Sequence, residues 1–171
     1  SEPVKACSAA TGHVLMTVTG KGMAGLPGIA AAVLDSLAQV GVNVTMLSQA
    51  CSEVSISIGL AASDQHAAAD ALAGLQRDPR YGPAIEEVSF ADSEVAMVAI
   101  VGQDMVSLPG VAERFCRALA RQGINIIAMA QGCSEWNITA AIRADRSADA
   151  VRSLHREFGL GRIDTGAGQT P

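Results

Sequence analysis

Aromatic residues are scarce in this 171-residue sequence, at 3%, although apolar residues make up 49% of it. With one Trp, one Tyr and three Phe, the core must be built from Ala, Val, Ile and Leu. Such small and branched side chains suit helices packed closely on a sheet. A strong charge of either sign is also lacking. The net charge of −5 is spread along the chain, and no Lys/Arg stripe offers itself to a phosphate backbone, which argues against nucleic acid as a partner. No apolar run approaches the roughly 18 residues of a membrane span, and the opening "SEPVKACS" is not a signal peptide, so no membrane partner is expected. Cys7, Cys51, Cys116 and Cys133 form no C-x-x-C pair, so neither a zinc site nor a redox dithiol is indicated. They read as buried small hydrophobes in a reducing compartment, which points to the cytoplasm.

Catalytic constellations are missing as well. His13, His66 and His155 share no motif, and there is no G-x-S-x-G, H-E-x-x-H or E-x-x-H pattern. The stretch "GKGMAG" resembles a phosphate loop, but no Lys-Ser/Thr follows it. Its later counterpart "GQDMVS" loses two of the three glycines. No catalytic residue, no metal site and no cofactor is expected in this chain.

What the sequence does contain is a repeat. Gly20–Glu53 aligns without a gap on Gly102–Glu135, 82 positions later, with roughly two in five positions identical. Leu-Pro-Gly, Leu37/Leu119, Gly41/Gly123, Asn43/Asn125 and the string Gln-x-Cys-Ser-Glu (from Gln49 and from Gln131) all coincide. Each copy opens with an apolar strand, "HVLMTVT" or "EVAMVAIV". A loop follows, then Pro27 or Pro109 at the opening of a helix with apolar residues at helical spacing. Gly41 and Gly123 stand where the helix should be capped. A second strand runs into Cys-Ser-Glu, a third alternates apolar and polar residues, and a further helix follows. Trp136, on the apolar face of that third strand, reads as core.

The order β-α-β-β-α-β predicts an α+β fold: two ferredoxin-like units, each an antiparallel sheet with helices on one face. The first unit is expected over residues 8–91 and the second over 92–160, with 161–171 a tail or linker. "AIEEVSF" supplies a fourth strand to the first unit, but the second has only the weak "GLGRIDTGAGQTP". A strand at residues 3–7 is a candidate to complete the second sheet and cover its edge.

Leu-Pro-Gly places unpaired backbone N–H groups at a helix N-terminus, which carries partial positive charge and accepts a carboxylate. Gln49 and Gln131 lie at the end of the adjacent strand, and an amide side chain can meet a hydroxyl or an ammonium. From the residues alone two readings stay open: an amino-acid pocket, or a plain polar turn with a solvated glutamine.

The paired units, with "GMAGLPGIAAAVLDSLAQVGVNV", "QDMVSLPGVAERFCRALARQGINI" and the "SQACSE" and "AQGCSE" strings, resemble the tandem ACT regulatory region of aspartate kinases. The likeness is greatest to the threonine-sensitive type fused to homoserine dehydrogenase. The resemblance covers residues 3 to 160. It implies an allosteric amino-acid-binding module that mediates feedback inhibition, most naturally by L-threonine. The alternatives are a ligand-free ACT dimerisation module and a lysine-sensing region. It implies effector contacts at Gln49 and Gln131, with Asn43, Asn125, Met23, Ala24, Gly25, Leu26, Met105, Val106, Ser107 and Leu108 around them. It also implies a homodimer through ACT–ACT packing and a first unit inserted in the second. The kinase domain, with its ATP and Mg, would lie in a longer parent chain, so the fragment itself is expected to have no enzymatic activity.

Overall fold

In the computed structural model, residues 3–49, 54–103, 105, 108–131 and 137–161 are described. The first repeat comprises β1 (Ala6–Thr19), α1 (Ile29–Gln39), β2 (Val44–Gln49), β3 (Ser55–Ala61), α2 (Gln65–Leu75) and β4 (Glu87–Phe90). The second comprises β5 (Val95–Val101), α3 (Val111–Ala120), β6 (Ala128–Gln131), β7 (Asn137–Arg143) and α4 (Ser147–Glu157). Both are ACT-like repeats built on antiparallel pairing, the first a full βαββαβ unit and the second βαββα, with mixed helix and strand.

Helix periodicity explains which faces are buried. Ile29, Val33 and Leu37 of α1, and Val111, Phe115 and Leu119 of α3, recur every four residues and are 5% exposed or less. Each of these large side chains stabilises the fold by about 1.5–3 kcal/mol when fully buried. Both helices end in a left-handed glycine, Gly41 (φ 76°) and Gly123 (φ 65°). The following N–H groups, of Val42 and Ile124, turn back to Leu37 O and Leu119 O. At the other end the helices begin two residues later than the prolines suggest. Gly28 and Gly110, also left-handed, are the N-cap residues, so Pro27 and Pro109 stand just outside the first turn.

β1 is the element the sequence least resembles. It starts at Ala6, well before the expected "HVLMTVT", and serves both units. His13–Thr19 pairs with β3, and Met16–Thr19 pairs with β4 as well. Ala6–Ala10 pairs instead with β5. Between Ala10 and His13 the register slips, where Gly12 takes φ 74°. This bulge inserts extra length and re-aims the strand. Cys7 and Ala9 thus pack on the second unit's core, while Val14, Met16 and Val18 belong to the first. The whole is one seven-stranded sheet, β2-β3-β1-β5-β7-β6, with β4 on β1.

Two equivalent glycines show the same construction in both units. A Cβ on Gly20 would lie 1.9 Å from Ala84 O, and a Cβ on Gly102 would lie 1.9 Å from Pro3 O. Residues 3–4 therefore cross the second unit where 84–85 cross the first, and Val4, 1% exposed, fills its core.

Helices cover the outer face of each half-sheet, enclosing one apolar core per unit. A third cluster lies on the opposite strand faces, between the units: Leu15, Met46, Val95, Met97 and Ala141, with Ala128 and Ala130 packed against it. Here side chains pack directly on a glycine. A Cβ on Gly59 would meet Met97 Cε at 2.4 Å. Polar ties join α3 to α4. Arg114 and Arg117 donate to the half-buried Glu157 carboxylate at 3.1 Å each, and Ser153 Oγ donates to Ala118 O at 2.7 Å. Burial opposes ionisation of Glu157, but the two guanidinium groups outweigh it and hold its carboxyl below the usual range. Cys7 and Cys116 are free and half-buried rather than buried, and burial raises the Cys7 thiol pKa. Cys51, Cys133 and Trp136 lie outside the described residues, as does the stretch from Arg162 onward.

Candidate functional site

The loop between β1 and α1 ends in a helix that no side chain caps. At this end Ala32 N–H donates to Gly28 O at 2.9 Å, and Ile29 N–H reaches Leu26 O at 3.4 Å. Gly28 has no side chain to accept from the first turn, and no side-chain cap hydrogen bond is present. The N–H groups of Gly28, Ala30 and Ala31 belong to the opening turn, whose donors have no partner within the helix. They give this end partial positive charge.

A recess of about 480 Å³ opens there, lined by Met23, residues 25–31 and Gln49. Gln49 is exposed at the end of β2, where β3 fixes its register opposite Ile56. Met23 is 1% exposed and belongs to the first core, so it forms the recess floor. Leu26 and Ile29 supply apolar wall, while Gly25 and Ala31 leave space. Gly28 is held tightly from behind. A Cβ there would stand 3.0 Å from the Tyr81 hydroxyl, and its φ of 88° disfavours any other residue. None of the lining residues is charged. Chemically the recess offers backbone donors for an anion, one amide for a polar group, and an uncharged wall.

Of the site residues expected from sequence, the fold brings together Met23, Gly25, Leu26 and Gln49. Ala24 and Asn43 are exposed and do not line the recess. Ala30 and Ala31 do line it and were not anticipated. The signal for them is "IAAAV", a run without bulk directly after Leu-Pro-Gly. In the second copy, Met105 is buried at 4%, Leu108 is 45% exposed and Asn125 is exposed. Gln131 ends β6, paired with Ile138. Val106 and Ser107, and both Cys-Ser-Glu strings, lie outside the described residues. The counterpart of Ala31 is Glu113, a carboxylate in the first turn of α3 that pairs with Arg117 at 2.9 Å. Among the described residues, no helix is long and apolar enough to cross a membrane.

Comparison with known proteins bears on the same segments. The ACT domain family matches residues 16–74 and 98–158. A bifunctional aspartokinase/homoserine dehydrogenase of Arabidopsis thaliana, described as chloroplastic, is 38% identical over 166 residues, covering 97% of this chain. The chain spans only 18% of that relative's length. Among solved structures, the regulatory subunit of aspartate kinase from Thermus thermophilus, in its ligand-free form, superposes with a TM-score of 0.77 at 27% identity. That match covers 91% of this chain and 99% of the other. A crystal structure of aspartokinase alpha and beta subunits matches with a TM-score of 0.79 at 26% identity, covering 92% and 99%.

Proposed function

The chain belongs to the ACT-domain family and corresponds to the regulatory region of aspartokinases, and from that premise we propose that it is a feedback module that binds L-threonine. The observation that carries this reading is Gln49 set beside an uncapped helix N-terminus in one recess. In this reading the threonine carboxylate meets the N–H groups of Ala30 and Ala31, and Gln49 meets its hydroxyl or ammonium. The methyl group rests against Leu26 and Ile29. The uncharged lining favours a small neutral amino acid over lysine, whose ammonium would have no carboxylate to pair with. In this reading the first recess is the dominant one, because Glu113 places a negative charge in the first turn of α3 where the first copy has Ala31. In the second copy the same reading assigns a weaker effector role to Gln131 and Asn125, the repeat equivalents of Gln49 and Asn43.

Bound threonine favours one packing of ACT units in a homodimer, and a kinase domain of the parent protein, acting with ATP and Mg, reads that packing. Exposed Leu47 on β2, Met129 on β6 and Ile127 just before it supply apolar surface for the dimer. Such coupling between sites is typically worth about 1–3 kcal/mol. The unpaired Cys7 and Cys116 accord with a reducing, cytoplasmic setting.

Calorimetric titration of the chain with threonine, lysine, methionine and isoleucine tests the proposal. Threonine alone should give heat, and Gln49→Ala should weaken binding by about tenfold, as expected for one lost hydrogen bond to a charged or well-fixed partner. Heat with lysine but not threonine would transfer the assignment to lysine. No heat with any of the four, with a concentration-dependent dimer retained, would leave a dimerisation module.

A further inference from the structure

β2 and β6, the strands that carry Gln49 and Gln131, are joined directly. Among the described residues both are edge strands, β2 paired with β3 and β6 with β7. They meet across the interface between the units, where Ser48 Oγ donates a hydrogen bond to the backbone carbonyl of Met129 at 3.2 Å. Two residues earlier on β2, Met46 is buried in the cluster that holds Met97, Ala128 and Ala130. Gln49, Ser48 and Met46 lie on one short strand, so a shift of β2 at the recess moves the groups that touch β6. The repeat makes the tie one-sided. The residue equivalent to Ser48 in the second copy is Ala130, which has no hydroxyl to return the bond.

We propose that Ser48 is a positioning residue that couples the first recess to strand β6 and hence to the second unit. This rests on the recess being a ligand site. The bond lies at the exposed margin of the apolar cluster, and its acceptor lies two residues before Gln131. Filling the recess fixes the end of β2, and Ser48 passes that restraint to the Met129 carbonyl. Binding at one copy therefore changes the order of the other without any ligand between them.

Amide hydrogen exchange on the whole chain, with threonine as the probe, tests this in a Gln131→Ala background, so that direct occupancy of the second copy does not contribute. Threonine should slow exchange at residues 44–49 and also at 128–131. With Ser48→Ala added, the effect at 44–49 should persist while that at 128–131 is lost, and Ser48→Thr should restore it. Slowing confined to 44–49 before Ser48 is changed, or slowing at 128–131 that survives Ser48→Ala, overturns the proposal. Should threonine slow neither segment, the ligand assignment fails by itself. The tie is then read in the free protein. Ser48→Ala should speed exchange at 128–131 by about two- to tenfold, the range for one neutral hydrogen bond. Unchanged exchange there overturns it.

Discussion

Replacing Gly102 by alanine probes whether the chain's first residues complete the second unit. The new Cβ would sit 1.9 Å from Pro3 O and 2.9 Å from the Val4 Cα, whereas real Cβ atoms essentially never come under 3.0 Å. The obstacle is backbone and not the tip of a side chain, so residues 3–4 must move outward by about 1 Å or detach. Overpacking of this kind costs about 1–3 kcal/mol. If the segment detaches instead, Val4 loses its burial, worth about 1.5–3 kcal/mol. These are two routes for one event and do not add, so the expected loss is about 2–3 kcal/mol. Urea denaturation should show that loss, and hydrogen exchange should quicken at Lys5 to Ala10. The twin substitution Gly20→Ala, facing Ala84 O at the same 1.9 Å, should cost a similar amount but quicken exchange at 86–90 instead. A Gly102→Ala protein within 0.5 kcal/mol of the parent, or one with unchanged exchange at residues 5–10, would refute the crossing of residues 3–4 over the second unit.

Other substitutions separate the remaining forces. Gly74, in α2, has nothing within 4 Å of an added Cβ and no positive φ, so Gly74→Ala should raise stability by about 0.5–1 kcal/mol in the same urea assay. Gly28→Ala should cost about 1–2 kcal/mol, since its φ of 88° is left-handed, and it should also weaken threonine binding in calorimetry by pressing on Tyr81. Glu157 has its folded pKa lowered, so its contribution is complete above the ordinary glutamate pKa of about 4.3 and is lost as pH falls through the lower folded value. The stability gap between the parent and Glu157→Gln, measured by denaturation, should therefore be larger at pH 7 than at pH 3. A gap that grows on acidification would contradict the ion-pair account.

Much of the fold is legible in the chain because local rules and the global structure agree. Leu37 and Leu119 fall in one register, Gly41 and Gly123 close the two helices, and Ile56, Ile58 and Leu60 alternate with polar Ser55 and Ser57. Those patterns follow from the 3.6- and 2-residue periods, which need only neighbours in sequence. Read twice in one register, they establish a repeat of two units with one order of strands and helices. The candidate site was partly legible for the same reason: a helix start and a strand end recur at fixed spacing beside Gln49. The alanines at 30 and 31 were hidden, since small residues in a helix serve packing and open space equally well.

Tertiary structure alone decided the long-range questions. Nothing in "SAATGHV" says that β1 runs unbroken from Ala6 and serves two cores, because a glycine at φ 74° reads as a chain break until pairing partners on both edges hold it as a bulge. Only the folded chain removes Asn43 from the recess lining, and only it lays Ser48 against Met129, 81 residues away. Contacts at that separation depend on how the two halves of the sheet pack, and Gly59 leaves room there for Met97. The sequence by itself determined the unit and its repetition. The packing between the units determined which repeated residues meet.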